Sequence, residues 1–149
     1  MTYSSAILAR AGLTNPHVHE FVAEWARILT PDRIEVVDAD ADERLLAEAL
    51  EAGEIVEAGR DRYLAHSHPG DTARSEERTV VATHDPAHRG VYNNWRDADE
   101  VRAQQIERMS GAMAGRTMYV VPYLMAPPGS PLARWAVGVQ LSDNRVVVL

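Results

Sequence analysis

Gly115-Arg-Thr-Met-Tyr-Val-Val-Pro-Tyr-Leu-Met125 contains the longest apolar strand that can be read in the chain, Thr117 to Met125. Gly115 suits the end of the element before it. Met118, Val120 and Leu124 are the expected core residues of the strand. Upstream, Asp97 to Met109 reads as a helix that continues toward Ala114. Downstream, Ala126-Pro-Pro-Gly-Ser-Pro131 is a rigid turn and Trp135 to Leu141 a second strand. Ser142-Asp-Asn-Arg145 then turns into Val146-Val-Val-Leu149. Four consecutive β-formers predict a strand buried on both faces. With no cap or partner after them, the carboxyl end reads as an interruption of a longer polypeptide.

The amino-terminal half alternates helix and strand. Asn15 can cap a helix that opens on Pro16 and runs from His17 to Leu29. Phe21, Val22, Trp25, Ile28 and Leu29 form its expected buried face. Ile34 to Val37 is a short strand. Asp40 to Ala52 is a helix with acidic residues in its first turn, an apolar stripe of Leu45, Leu46, Ala49 and Leu50, and Gly53 as its stop. Glu54–Glu57 and Tyr63–His66 read as strands around a turn at 58–61, and Thr79–Thr83 as another. Asp85 to Trp95 reads as loop. This alternation gives an α/β class.

Composition sets limits on function. The 149 residues suffice for one domain with a real core. Apolar residues make up 46% and charged residues 25%, as in ordinary soluble domains. No cysteine is present, which excludes disulfides, thiolate nucleophiles and cysteine metal sites and fits a cytoplasmic protein. The first ten residues lack the basic region and the long apolar run of a leader, and no apolar stretch reaches membrane-span length. A net charge of −7 argues against a nucleic-acid binder. All fifteen basic residues are arginine. Without lysine there is no Walker-type phosphate loop and no Schiff-base chemistry.

Three segments in collinear order resemble GTP-dependent phosphoenolpyruvate carboxykinase. They are Tyr63-Leu-Ala-His-Ser-His-Pro-Gly-Asp-Thr-Ala-Arg-Ser-Glu-Glu-Arg-Thr79, Asn93-Asn-Trp95 with the acidic helix after it, and Met113-Ala-Gly-Arg-Thr-Met-Tyr-Val-Val-Pro122. The last is the sharpest, and it continues through Gly129-Ser-Pro-Leu-Ala133 and Gly138-Val-Gln-Leu-Ser-Asp143. The segment from Asn15 to Ile34 resembles the family's first helix and its exit. The resemblance implies the amino-terminal domain of that enzyme: a mixed sheet with helices packed on it. It implies a reaction turning oxaloacetate and GTP into phosphoenolpyruvate, carbon dioxide and GDP, with manganese or magnesium, in gluconeogenesis. It also implies that nucleotide, metal and most catalytic side chains belong to a kinase-like lobe absent from these residues. The chain alone is then expected to be inactive and to bind no cofactor itself.

The same resemblance assigns one substrate-binding residue. Arg74, in Asp71-Thr-Ala-Arg74, corresponds to the arginine that binds the substrate carboxylate. A guanidinium presents a planar fork that meets a carboxylate through two bonds. The plain alternative is an ion pair with Glu76 or Glu77. Gly115, Arg116 and Asn94 are possible supports of the cleft. For Gly115, Arg116 and Tyr119 an architectural role is the stronger reading, as it is for Asn93, Asn94 and Trp95.

Three histidine pairs have metal-like spacing. His17 and His19 diverge on a helix start, and His84 and His88 flank Pro86. Only His66 and His68 can converge, and no third ligand follows from the spacing, so no metal site is assigned. Departures from the family pattern are His66 and His68, where an apolar residue and an acid are usual, Ala126-Pro127-Pro128 in place of a glycine-containing turn, and a compact 85–92 loop. A free-standing dicarboxylate-binding module and an inactive remnant are the alternatives.

Overall fold

The computed structural model describes residues 3–66, 75, 78–92 and 94–149. In chain order the elements are α1 (Tyr3–Arg10), α2 (Pro16–Leu29), β1 (Arg33–Val36), α3 (Asp42–Glu51), β2 (Val56–Gly59), β3 (Arg62–Leu64), β4 (Val81–Thr83), β5 (Trp95–Asp97), α4 (Ala98–Met109), β6 (Thr117–Leu124), β7 (Val137–Ser142) and α5 (Arg145–Val148). The chain divides into two units, residues 1–66 with 111–149, and residues 67–110.

The first unit is built on a mixed sheet of order β1-β6-β7. β1 runs parallel to β6, with Arg33 beside Thr117 and Val36 beside Val120. β7 runs antiparallel to β6, from Tyr119 beside Ser142 to Leu124 beside Val137. Side chains on a strand alternate between faces, so β6 serves two cores. Met118 and Val120 face Leu8 of α1, Val22 and Leu29 of α2, Ile34 and Met113. Tyr119 faces the other way, into Val37, Ala41 and Leu45, with Val121 and Val148 at the margin. Leu8, Val22, Leu45, Met118 and Val120 are fully buried. Each contributes roughly 1.5–3 kcal/mol of burial.

Local chemistry sets the helix ends. Asn15 Oδ1 accepts from the His17 amide at 2.9 Å, and Pro16 occupies the first turn. The helix ends on Thr30 in the left-handed region, φ 51°. α3 starts at Asp42, two residues later than its acidic run predicts, because Asp38 caps Asp40 with its carboxylate and accepts the Ala41 amide on its carbonyl. Phe21, Leu50 and Leu124, expected in the core, are exposed. The apolar stripe of each element is narrower than its sequence spacing implies.

Two corrections concern the ends of elements. The helix expected to run toward Ala114 stops at Met109. Gly111 turns the chain with φ 73°, and the backbone then serves α2. The Gly111 amide donates to Ile28 O at 2.9 Å and the Met113 amide to Leu29 O at 3.0 Å. These carbonyls are among the orphan acceptors of a helix terminus. The second correction is Val146–Leu149, which is not a strand. Residues 145–148 form a helical turn because Asn144 Oδ1 accepts the Val146 amide at 2.8 Å and the Val147 amide at 3.3 Å. The cap outweighs the β preference of three valines. Val148 packs at the margin of the Tyr119 core, while Val147 and Leu149 are exposed.

The same unit carries the hairpin β2–β3, antiparallel with Glu57 beside Tyr63. The second unit pairs β4 with β5 in parallel, Val81 beside Trp95 and Thr83 beside Asp97. A 3-10 turn at Pro86–Arg89 lies inside the segment read as loop, and β5 begins on Trp95, its last residue. Trp95 stands there as an anchor, its indole nitrogen donating to Thr83 Oγ1 at 2.7 Å. Asp97 caps α4 by accepting the Asp99 and Glu100 amides at 2.9 and 3.2 Å. The described helices include none long and apolar enough to cross a membrane.

Candidate functional site

The parallel pairing of β1 with β6 brings Arg33 beside Thr117, and Arg33 Nε donates to Thr117 Oγ1 at 3.2 Å. The turn before β6 is pinned from the same side. Asp32 Oδ1 accepts the Gly115 amide at 2.8 Å, and Arg116 O accepts the Asp32 amide at 3.0 Å. Gly115 has φ 76°, a conformation that a side chain disfavours. The turn after β7 contributes Asp143, whose Oδ2 accepts from Arg116 Nη1 at 2.6 Å. Arg33, Gly115, Arg116, Thr117 and Asp143, together with Glu54, Tyr119 and Arg145, line a cleft of about 330 Å3.

Ion pairs order this wall. Arg145 grips Glu54 through Nε at 3.0 Å and Nη2 at 2.6 Å, and reaches Glu48 through Nη1 at 3.2 Å. Glu48 also pairs with Arg44 at 2.8 Å, Arg44 meets Glu35, and Glu35 meets Arg33 at 3.0 Å. The chain of pairs ties β1, α3, residue 54 and α5 together. The bond to Glu54 raises the pKa of Arg145 above the usual arginine value, against burial, with help from Glu48. The bond from Arg44 lowers the Glu48 carboxyl, burial opposes it, and Arg145 adds to the lowering. Tyr119 is 3% exposed, and burial above all pushes its phenol up.

Chemically this is a cleft whose guanidinium groups are aimed by fixed carboxylates. Arg116 spends only Nη1 on Asp143, which leaves Nε and Nη2 without a partner among the described residues. The described residues contain no group of three His, Cys, Asp or Glu placed to hold a metal ion. The chain also has no lysine to meet nucleotide phosphates. The described residues therefore do not present the donor set for a metal–nucleotide pair.

Two of the residues named from sequence, Gly115 and Arg116, come together on the cleft wall. Asn94 belongs to the second unit, where its side-chain amide donates to Thr79 O at 3.2 Å and its carbonyl accepts the Val81 amide. Arg74, Glu76, Glu77, His68 and Asn93 lie outside the described residues. His66 is exposed. Sequence reading did not find Arg33, Glu54, Asp143 or Arg145. Arg33 and Arg145 flank short apolar runs, a weak signal, and only strand register and the α5 cap bring them to one wall.

The sequence profile described as "Phosphoenolpyruvate carboxykinase N-terminal domain" matches residues 20–149. Three curated relatives carry the name "Phosphoenolpyruvate carboxykinase [GTP]". The protein of Corynebacterium kroppenstedtii is 36% identical over 145 residues, covering 93% of this chain and 23% of the relative. That of Ascaris suum is 37% identical over 146 residues, covering 89% and 22%. That of Anaeromyxobacter dehalogenans is 35% identical over 142 residues, covering 91% and 24%. The chain thus spans less than a quarter of the length of these relatives. The mixed sheet agrees with the fold that the Gly115–Pro122 motif implied, and the matched range includes that motif, the residues that line the cleft and α5. By this match the chain belongs to the phosphoenolpyruvate carboxykinase N-terminal domain family.

Proposed function

We propose that the chain is the substrate-recognition part of a GTP-dependent phosphoenolpyruvate carboxykinase. The complete enzyme converts oxaloacetate and GTP into phosphoenolpyruvate, carbon dioxide and GDP, in the cytoplasm, as a step of gluconeogenesis. The observation that carries the reading is the collinear match, over about nine-tenths of the chain, to proteins of that name. Arg74 binds the substrate carboxylate through its two-donor fork. Gly115 and Arg116 hold the cleft edge, and Asn94 supports the segment that follows Arg74. The kinase-like lobe outside residues 1–149 holds GTP and the manganese or magnesium ion, so the chain alone turns over no substrate.

The test grafts residues 1–149 in place of the matching part of the Corynebacterium kroppenstedtii protein and assays GTP-dependent decarboxylation of oxaloacetate. The graft is active and the 149-residue chain is not. Arg74→Ala in the graft lowers kcat/KM by about 100-fold, the scale of a lost charge-assisted pair. Turnover by the isolated chain overturns the reading. So does tight one-to-one binding of oxaloacetate by the isolated chain that Arg74→Ala abolishes, which marks a free-standing dicarboxylate module.

A further inference from the structure

The β6–β7 hairpin reaches past the rest of its sheet. β1 pairs with β6 only as far as Val120, whereas β7 stays paired with β6 to Leu124. Residues beyond Val120 therefore have a strand neighbour on one side only. Burial along β6 changes at the same point. Met118, Tyr119 and Val120 are buried, and Tyr123, Leu124 and Met125 are exposed. Met125, at the end of the outgoing limb, is 81% exposed, and the returning limb continues the pattern with Leu132 at 67% and Trp135 at 77%. Leu124 and its cross-strand partner Val137 lie on one face of this arm, both exposed. Tyr123 lies on the other face, over Gly138.

The arm is also nearly free of charge. Between Arg116 and Asp143 the one charged side chain is Arg134, in a chain that is 25% charged. That arginine stacks on the Trp135 ring at 5.1 Å. A hairpin that lives in water normally guards its edge strand with charges. β7 is an edge strand with none. Isolated exposed apolar residues are ordinary, but an arm that exposes Trp, Tyr, Met and Leu over its two faces, with one arginine among them, has the composition of an interface.

We infer that this arm, from Tyr123 to Val137, is the surface on which the remaining polypeptide of the carboxykinase docks. The curated relatives extend to about four times the length matched here, which supplies a covalently linked partner large enough to cover it. Linkage in one chain raises the effective concentration of that partner, so the arm need not hold it with high intrinsic affinity. The inference rests on the proposed function, because it takes the longer protein to be one of that family.

Hydroxyl-radical footprinting of the isolated chain and of the full-length graft tests it. Oxidation at both Met125 and Trp135 falls at least fivefold in the graft. Equal rates in the two proteins overturn the inference, as does protection in the isolated chain that disappears on dilution, which identifies a second copy as the occupant. Should the graft fail to fold, the isolated chain still decides. Met125→Ser/Leu132→Ser/Trp135→Ser melts within about 2 °C of the parent and loses at least half of its apolar-dye fluorescence, because the side chains are external to the unit's own cores. A drop of more than about 5 °C places them inside that fold and overturns the docking role. Failure of the proposed function is read separately, as a folded graft without turnover.

Discussion

Tyr123 lays its ring over Gly138, the residue directly across from it on β7, so closely that a Cβ added at Gly138 would overlap the phenol. Gly138 lacks the positive φ of a turn glycine, so space and not backbone freedom explains it. A glycine covered by a cross-strand aromatic pins register in an arm that has no third strand.

Gly138→Ala is expected to swing the Tyr123 ring away from β7 at a cost of about 1 kcal/mol, since an exposed ring end can move. In a double-mutant cycle with Tyr123→Ala, urea unfolding shows a coupling of at least ~0.5 kcal/mol. Additive effects would mean that the ring does not depend on the glycine.

Asn144 turns three valines into helix by accepting two amides. Asn144→Ala is expected to lower stability by about 1 kcal/mol, within the usual range for a lost cap. Asn144→Asp retains an acceptor and most of the stability. Equal losses in the two variants, measured by urea unfolding, would rule out capping as the cause.

Arg145 joins Glu54 and Glu48 through a fork that lysine cannot reproduce. Arg145→Met is expected to cost about 1–2 kcal/mol and Arg145→Lys to recover less than half of it. Because the pairs are partly solvated, the loss shrinks as salt is raised. Thermal melts at low and high ionic strength check both points.

The pH profile has two limbs with opposite signs. Glu48 has its carboxyl held below the ordinary glutamate value of 4.5, by Arg44 first. The folded state therefore binds fewer protons there than the unfolded chain, and this stability is present above 4.5 and lost as pH falls through the lower, folded value. Burial raises the Tyr119 phenol above 10.0. Its share is present below pH 10 and lost as pH rises through the higher, folded value. Glu48→Gln should flatten the acid limb and Tyr119→Phe the alkaline limb, in melts taken across pH. An alkaline limb unchanged in Tyr119→Phe would assign it to another group.

Much of the framework was legible because it depends on local chemistry. Asn15-Pro16 opens α2, Gly53 follows α3 with φ 70°, and the apolar run from Thr117 is the central strand. Gly115 and Arg116 stood out in the motif that carried the resemblance, and both line the cleft. Three element assignments changed where two demands compete for the same backbone groups. The valines before Leu149 favour a strand until Asn144 caps them. The segment before Ala114 favours a helix until the last carbonyls of α2 claim its amides. Trp95 keeps the anchoring role read for it but sits on a strand and not in a loop, because β4 offers it a ladder.

By itself the sequence determined the α/β class, the family, the lack of lysine and cysteine chemistry, and the starts of α2 and α4, because caps, turns and periodicity act within a few residues. Only the tertiary structure decided which arginine meets which carboxylate and which apolar residues stay outside. Those outcomes depend on strand register, where a shift of one residue sends every side chain to the opposite face of the sheet. Arg33 reaches Thr117, and Tyr119 rather than Leu124 is buried, because β1 and β6 align in one register and β1 ends at Val36.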